Sequence, residues 1–391
     1  MPTKHFNWLL FITILLIAAN LRAPITSVGV ALPSIRSTLH LSTNEVSLIT
    51  IFPLLAFAVI SFYVAKVSGR FGIEKTLFSS LLILLSGIIL RAFSDVSWLY
   101  IGTLLIGIGI AFGNVLAPSM IKTYFPSRIG IVTGYYTVVM NVFGGLSSYI
   151  TGPLTTHYSY MVALSLIGVI TILTIVIFSF QLRNNLIVPS SVKEKAINVW
   201  KSPLAWQITL LMGGQSLIFY TLINWLPEML LEKGISTNKS GFYLLLLQIA
   251  ILPFTFIVPI IAAKRASQVS IMIMTGTLFV LGTLGLICLP AIYIVIAIII
   301  LGIASGFAFG LVTTLFSLRT ESAQTATKLS GMAQSLGYLL AAVGPLLFGV
   351  VHDVTHHWVA SLFILLIMAF VILFFASGAG RNQTVEETLQ K

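Results

Sequence analysis

The stretch WLLFITILLIAANLRAPITSVGVAL, residues 8–32, decides how this chain folds. Arg22 is its one charged side chain, and the run is long enough for a helix to cross the ~30 Å hydrocarbon layer of a membrane. It is also longer than the apolar core of a signal peptide. Because apolar and polar residues do not alternate along it, a strand of a membrane β-barrel is not expected. The stretch predicts the first membrane-spanning helix of the protein.

Composition extends this prediction to the whole chain. Of its 391 residues, 58% are hydrophobic and only 8% are charged, whereas a soluble domain carries about 25% charged residues. A chain inside lipid has to satisfy its backbone polar groups within each segment, which favours helices. We therefore expect an all-α, multi-pass membrane protein.

Twelve apolar runs follow one another, in two sets of six separated by a polar connection. We assign an N-terminal six-helix bundle to residues 1–181, a cytoplasmic linker to 182–203, a C-terminal six-helix bundle to 204–378 and a cytoplasmic tail to 379–391. The predicted spans are residues 7–33, 44–65, 76–94, 97–121, 129–152, 159–181, 204–228, 241–262, 269–289, 291–317, 327–351 and 357–378.

The basic residues set the predicted orientation. The chain has 21 Lys and Arg residues and a net charge of +11, and apart from Arg22 these residues lie in the connections or near the ends of the spans. With both termini inside, sixteen of the others fall on the cytoplasmic side and four outside. This asymmetry is typical of a protein of the bacterial-type cytoplasmic (inner) membrane and does not indicate nucleic-acid binding. The four outer residues are Arg36, Arg91, Lys233 and Lys239.

The two halves of the sequence resemble each other. The string Gly109–Gly113 (GIAFG) matches Gly306–Gly310 (GFAFG) at an offset of 197 residues, and Leu32-Pro33 matches Leu226-Pro227 at an offset of 194. Matches in one order and at nearly one spacing indicate an internal duplication. Transporters with two parallel six-helix repeats have this organisation, and they bind solute between the repeats near the midplane.

The segment after the second span carries a family resemblance. The string AKVSGRFGIEK, residues 65–75, resembles the signature loop of the major facilitator superfamily. On this resemblance we expect Gly69, Arg70 and Gly72 to be gating residues. It departs from that loop at Gly69, where an aspartate is usual, so the salt bridge of that aspartate is not expected. The resemblance implies a twelve-helix fold of two pseudo-symmetric six-helix bundles and a carrier that works by alternating access, usually driven by an ion gradient.

Four further strings resemble the branch of this superfamily that contains the cyanate permease and the 2-nitroimidazole transporter. We therefore expect a secondary active transporter of a small polar or anionic solute, cyanate-like or related. The alternative is a multidrug-type exporter of small apolar or aromatic compounds, which the 26 Phe and 12 Tyr residues would suit. The strings are Asn20–Ser27, Gly113–Pro118, Trp225–Pro227 and Gly331–Tyr338.

Arg22 is the residue that says most about function. An arginine near the middle of a spanning helix costs roughly 2.5–3.5 kcal/mol on insertion scales, and it is too far from a helix end to reach the interface. None of the ten acidic residues lies in the middle of a span. We expect Arg22 to be satisfied by backbone carbonyls and side-chain amides, or by an anionic solute. A packing role in the first helix is the alternative to solute contact.

Other polar and aromatic side chains within the spans are candidate solute contacts. In the seventh span Ser216 and Tyr220 are four residues apart, as are Gln334 and Tyr338 in the eleventh, so each pair shares a helix face. The alternative for each residue is a hydrogen bond between helices, worth roughly 0.6 kcal/mol on average. The candidates besides Arg22 are Asn20, Asn114, Tyr136, Asn141, Gln215, Ser216, Tyr220, Gln248, Gln334 and Tyr338.

Missing motifs argue against other classes of protein. The chain has neither the H-E-x-x-H motif of a metalloprotease nor the G-x-x-x-x-G-K-[ST] loop of a nucleotide-driven pump. We expect no enzyme activity, cofactor or metal. Proton relays commonly use a buried acid, and Glu45 and Glu228 near the outer rim are the remaining candidates for coupling to an ion such as H+. The expected partners are the solute, the coupling ion and membrane lipid, and a monomer suffices for transport.

Overall fold

The computed structural model describes residues 7–41, 43–93, 95–182 and 197–390, and within them the chain is helical, with no strand. Part of the predicted linker, residues 183–196, lies outside the described residues. The helices are α1 Trp8–Leu39, α2 Thr43–Phe71, α3 Ile73–Arg91, α4 Val96–Tyr124, α5 Ile129–His157, α6 Tyr160–Ser165, α7 Gly168–Ser179, α8 Pro203–Glu232, α9 Thr237–Ala263, α10 Val269–Cys288, α11 Ile294–Leu318, α12 Ala323–Thr355, α13 Trp358–Phe374 and α14 Val385–Thr388.

The predicted fold class is confirmed by twelve membrane-length segments in the described chain. Eleven of them are apolar enough as well as long enough to cross a membrane, with α6 and α7 together forming one. The twelfth, α8, has 30 residues, but polar side chains such as Gln215 and Asn224 make it less apolar. Large apolar residues, among them Val59, Ile296 and Ile367, are exposed on the helix surfaces, as contact with lipid requires.

Several helices, α2 among them, run further than the predicted spans. The helix α2 continues through the signature segment to Phe71, and α3 begins at Ile73. One residue, Gly72, therefore makes the turn between them, with a φ of 86°. This left-handed conformation is readily adopted by glycine and strained for residues with a Cβ atom. The helix α2 thus continues into a polar segment beyond its apolar run while keeping its backbone hydrogen bonds.

The described residues fall into two compact units. The first holds the residues up to Tyr124 together with those from Tyr135 to the linker, and the second holds Phe125–Gly134 together with the residues after the linker. Within the first unit α3 and α4 meet at Gly87 and Gly102, where a Cβ atom on either glycine would lie 2.6 Å from the carbonyl oxygen of the other. Small residues allow membrane helices to approach this closely.

The C-terminal segment after α13 lies against the second unit. The carbonyl oxygen of Gly380 accepts a hydrogen bond from the backbone N–H of Gln268 at 2.7 Å. The Glu386 carboxylate accepts one from the backbone N–H of Glu321, at the start of α12, at 3.0 Å. Val385 between them is completely buried. The segment predicted as a tail is thus part of the packed structure of this unit.

Candidate functional site

Arg22 lies half-buried in α1 and is held by an amide of α5. Its Nη1 donates a hydrogen bond to Oδ1 of Asn141 at 2.6 Å. The Asn141 Nδ2 donates in turn to the carbonyl oxygen of Thr137, one helical turn earlier, at 2.7 Å. That second bond orients the amide so that its oxygen faces the guanidinium. The structure therefore joins two of the predicted site residues, Arg22 and Asn141, directly.

Small residues on α5 make room for this contact. A Cβ atom on Gly144 would lie 3.0 Å from Cγ of Arg22, so the aliphatic part of the arginine crosses α5 at this glycine. One turn further along α1, Thr26 donates to the carbonyl oxygen of Gly144 at 2.8 Å and lies 3.1 Å from the Ser147 hydroxyl. Arg22 thus belongs to a polar seam between α1 and α5, and its guanidinium is anchored without being fully enclosed.

Asn20 has a different environment from Arg22, although it is only two residues away. Its side chain is fully buried. The amide nitrogen donates to Oγ1 of Thr174 at 2.8 Å, and the amide oxygen accepts from Oγ1 of Thr171 at 2.5 Å. Both threonines belong to α7. Asn20 therefore ties α1 to α7, and we assign it a packing role instead of solute contact.

Two other predicted residues of the first unit lie on helices next to Arg22. Asn114 is half-buried in α4. Its neighbour Gly113 packs against α1, since a Cβ atom there would lie 2.4 Å from Cδ2 of Leu21. Tyr136 is 3% exposed and precedes Thr137, whose carbonyl oxygen orients Asn141. Tyr136 is thus enclosed by the protein, while Asn114 keeps part of its surface accessible.

In the second unit, the predicted residues of α8 form a small polar cluster. Nε2 of Gln215 donates to Oγ of Ser216 at 2.7 Å, and both side chains are buried. Tyr220, one turn later, is half-buried, with its ring against Phe219.

The helix α12 carries a second polar cluster of this unit. Nε2 of Gln334 donates to Oγ of Ser330 at 2.8 Å, and Tyr338 is 8% exposed one turn further on. Between them, α12 packs closely on α8, because a Cβ atom on Gly337 would lie 2.8 Å from Cγ of Met212. Gln248 is exposed on α9. The α8 and α12 candidates therefore border one helix interface, and Gln248 lies apart from that interface.

The signature residues lie at the junction of α2 and α3. Gly69 is in the last turns of α2, where a Cβ atom would meet nothing within 4 Å. The guanidinium of Arg70 is exposed and lies over the ring of Phe71, 5.4 Å from its centre. The steric reason for a glycine therefore applies to Gly72 and not to Gly69.

Two buried arginines were not identified as such from the sequence. Arg91 was counted with the outer connections, but it is 1% exposed, and its Nη1 donates to the carbonyl oxygen of Pro24 at 2.9 Å. Arg319, just after α11, is 4% exposed and donates from Nη2 to the carbonyl oxygens of Ala266 and Gly380 at 3.1 Å each. Burial lowers the pKa of the Arg319 guanidinium, and the charge of Glu387 acts in the opposite direction. The sequence signal that could have indicated burial is the same for both arginines: each lies at the end of a long apolar run.

Possible metal ligands are scattered along the described chain. No group of three or more His, Cys, Asp or Glu side chains in that part of the protein could hold a metal ion.

Comparisons with known proteins agree with this architecture. The chain is 41% identical over 376 residues to an uncharacterized transporter, YycB, of Bacillus subtilis (strain 168), covering 95% of this chain and 93% of that protein. Two Escherichia coli (strain K12) proteins also match: the 2-nitroimidazole transporter, 37% identical over 95% of both chains, and the cyanate transport protein CynX, 25% identical over 89% of this chain and 91% of that one.

A solved structure shares the fold of this chain, and a family profile matches most of its length. The proton:xylose symporter XylE superposes with a TM-score of 0.78 at 13% identity, over 98% of both chains, which is a likeness of fold. The profile described as Major Facilitator Superfamily matches residues 10–342. With that match and relatives aligned over nearly its whole length, the chain belongs to the Major Facilitator Superfamily and is a multi-pass membrane transporter.

Proposed function

We propose that this transporter moves a small polar or anionic solute across the bacterial cytoplasmic membrane by alternating access, and that Arg22 binds the solute. Both termini face the cytoplasm in this proposal, in keeping with the distribution of basic residues. The protein acts as a monomer.

The geometry of Arg22 is the observation that carries this proposal. Its guanidinium is half-buried near the middle of α1, and Asn141 and Gly144 fix its position. A cation in the middle of a membrane-spanning helix is costly, and such residues usually mark a functional site. Arg22 remains partly accessible, and a guanidinium can donate several hydrogen bonds to an acceptor on a solute.

The solutes named for two relatives have matching chemistry. Those relatives are a 2-nitroimidazole transporter and a cyanate transport protein. A nitro group is planar and a cyanate ion is linear, and both are small, with terminal atoms that accept hydrogen bonds. A planar guanidinium suits such acceptors better than a lysine ammonium does. We infer a solute of this class for the present chain.

Further solute contacts are proposed on both units. Asn114, Asn141 and Tyr136 are the candidates near Arg22. In the second unit they are Gln215, Ser216, Tyr220, Gln334 and Tyr338, with Gln248 less favoured because of its position on α9. Gly69, Arg70 and Gly72 are proposed to act in gating at the turn between α2 and α3.

Coupling to H+ is proposed to use carboxylates near helix ends. Glu45 and Glu228 are exposed. Glu74 is buried in the first turn of α3, and its carboxylate accepts a hydrogen bond from the Tyr124 hydroxyl. A solute that carries its own proton, or an exchange of two solutes, would need none of these groups.

The test is solute binding by purified wild type and Arg22→Ala, with cyanate and 2-nitroimidazole as probes. Bound solute raises the apparent melting temperature according to its concentration and Kd. Loss of a charge-assisted hydrogen bond, worth about 1.5–3 kcal/mol, should weaken binding by roughly 10- to 150-fold. Arg36→Ala is the matched control, since Arg36 is exposed on the same helix.

Equal binding by a folded Arg22→Ala protein would contradict the proposed role of Arg22. Stabilisation by apolar aromatic compounds, with no response to either probe, would favour the multidrug exporter instead. The assignment to the superfamily does not depend on these outcomes.

A further inference from the structure

Two nitrogen atoms of the buried Arg91 guanidinium have no acceptor in the part of the chain that the structure describes. Its Nη1 is bonded to the carbonyl oxygen of Pro24, but within the described residues Nε and Nη2 are buried without a hydrogen-bond partner. No described carboxylate forms an ion pair with Arg91. Nε–H and one N–H of Nη2 form a single edge of the guanidinium. This edge is suited to binding an anion through two parallel hydrogen bonds.

A second buried polar group without a described partner lies on α1, near Pro24 in the sequence. Ser27 is completely buried, and its hydroxyl has no hydrogen-bond partner among the described residues. It follows Pro24 by three positions, so the two residues share a face of the helix. A hydroxyl can donate to an anion. Arg91, which contacts α1 at Pro24, and Ser27, one turn further along α1, thus both carry buried polar atoms without a partner among the described residues.

The residues around this part of α1 are apolar and closely packed. Beyond Pro24, the α1 residues Val28, Ala31 and Ile35 enter an apolar cluster with Leu99 of α4. On the α4 side there is little space, because a Cβ atom on Gly102 would lie 2.7 Å from the backbone nitrogen of Arg91. Water could accept the N–H bonds but could not balance the charge, which is costly to bury uncompensated.

We propose that Arg91 and Ser27 form an anion site inside the first unit that takes one small inorganic anion, of the size of chloride or nitrate. The Nε–Nη2 edge and the Ser27 hydroxyl donate to this anion, while Nη1 remains on the Pro24 carbonyl. The site is distinct from the proposed solute site, because Arg22 turns towards α5 whereas Arg91 reaches α1 from α3. It does not depend on the proposed function.

The test measures the apparent melting temperature of the purified protein in chloride and in nitrate, with gluconate salts keeping the ionic strength constant. We expect saturable stabilisation of the wild type by the small anions. Arg91→Lys keeps the charge but loses the two-donor edge, and it should weaken the anion affinity by roughly tenfold or more. Ser27→Ala removes a hydroxyl without a protein partner, so this variant should fold normally and bind the anion several-fold more weakly.

The Arg36→Lys variant, altered at an exposed arginine of α1, should respond to anions like the wild type. Arg22→Ala identifies the source of the anion. If Arg22→Ala is still stabilised by the small anions, the anion is a resident ion of the Arg91 site. If Arg22→Ala, Arg91→Lys and Ser27→Ala all lose the stabilisation, the anion is the transported solute, and it binds at Arg91 as well as at Arg22. No stabilisation of the wild type by either anion, or unchanged affinity in both Arg91→Lys and Ser27→Ala, would overturn the proposal.

Discussion

The aliphatic stem of Arg22 crosses α5 at Gly144, where a Cβ atom would lie 3.0 Å from Cγ and 3.3 Å from Cδ of the arginine. The side chain reaches Asn141, one turn back along α5, because nothing projects from position 144. The position of the guanidinium therefore depends on a residue that has no side chain.

Gly144→Ala should separate stability from solute binding. Alanine in place of glycine inside a helix stabilises it by about 0.5–1 kcal/mol, but this methyl group would push the arginine stem aside by a few tenths of an ångström. We expect an unchanged or slightly higher melting temperature and a severalfold weaker affinity for the solute. Gly145→Ala is the control, since a Cβ atom at that position meets nothing within 4 Å. Equal solute affinity in both variants would contradict the proposed role of Gly144.

Asn141→Asp should convert the hydrogen bond to Arg22 into an ion pair. The carboxylate would lie where the amide oxygen now accepts at 2.6 Å. Such a pair neutralises the guanidinium, so the affinity for an anionic probe such as cyanate should fall by roughly tenfold or more while the fold is retained. Binding assays with cyanate and with an uncharged heterocycle would show whether the loss is specific to the anion. An affinity for cyanate equal to that of the wild type would mean that the solute does not meet this charge.

Gly72→Ala tests the turn between α2 and α3. With a φ of 86° and a ψ of 158° at this position, a Cβ atom costs about 1–3 kcal/mol. We expect a lower melting temperature and slower transport in proteoliposomes. The matched change is Gly69→Ala in the helical part of the same segment, where space is open. It should be neutral or slightly stabilising, and a loss of stability as large as that of Gly72→Ala would refute this explanation.

The sequence predicted the all-α fold class and the twelve membrane-length segments because each apolar run has the length and composition of a span. It did not predict their ends, since polar helix ends such as residues 66–71 continue by backbone hydrogen bonding alone. The environments of single polar residues were also beyond prediction. Asn20 and Arg22 lie in one motif, but only the packed structure shows that Asn20 forms its hydrogen bond with α7 and Arg22 with α5. Arg91 could not be placed for a similar reason, because its burial depends on where α3 ends relative to α1.

The C-terminal segment gives the last prediction, at Glu386. This carboxylate is 4% exposed and accepts backbone N–H bonds from Glu321 and Ser322 at 3.0 and 3.4 Å. Ser322 is the N-cap of α12, where a negative charge is favourable. Glu386→Ala removes hydrogen bonds to a charged group, worth about 1.5–3 kcal/mol.

We expect Glu386→Ala to lower the melting temperature by a few degrees and to expose the segment after Gly380 to proteolysis. Glu386→Gln should have an intermediate effect, because it keeps an acceptor oxygen and loses the charge. The control is Arg381→Ala, since Arg381 lies exposed in the same segment. If Glu386→Ala and Arg381→Ala have the same melting temperature and cleavage rate, the carboxylate does not hold the segment in place, and the buried Val385 has to account for its attachment to the second unit.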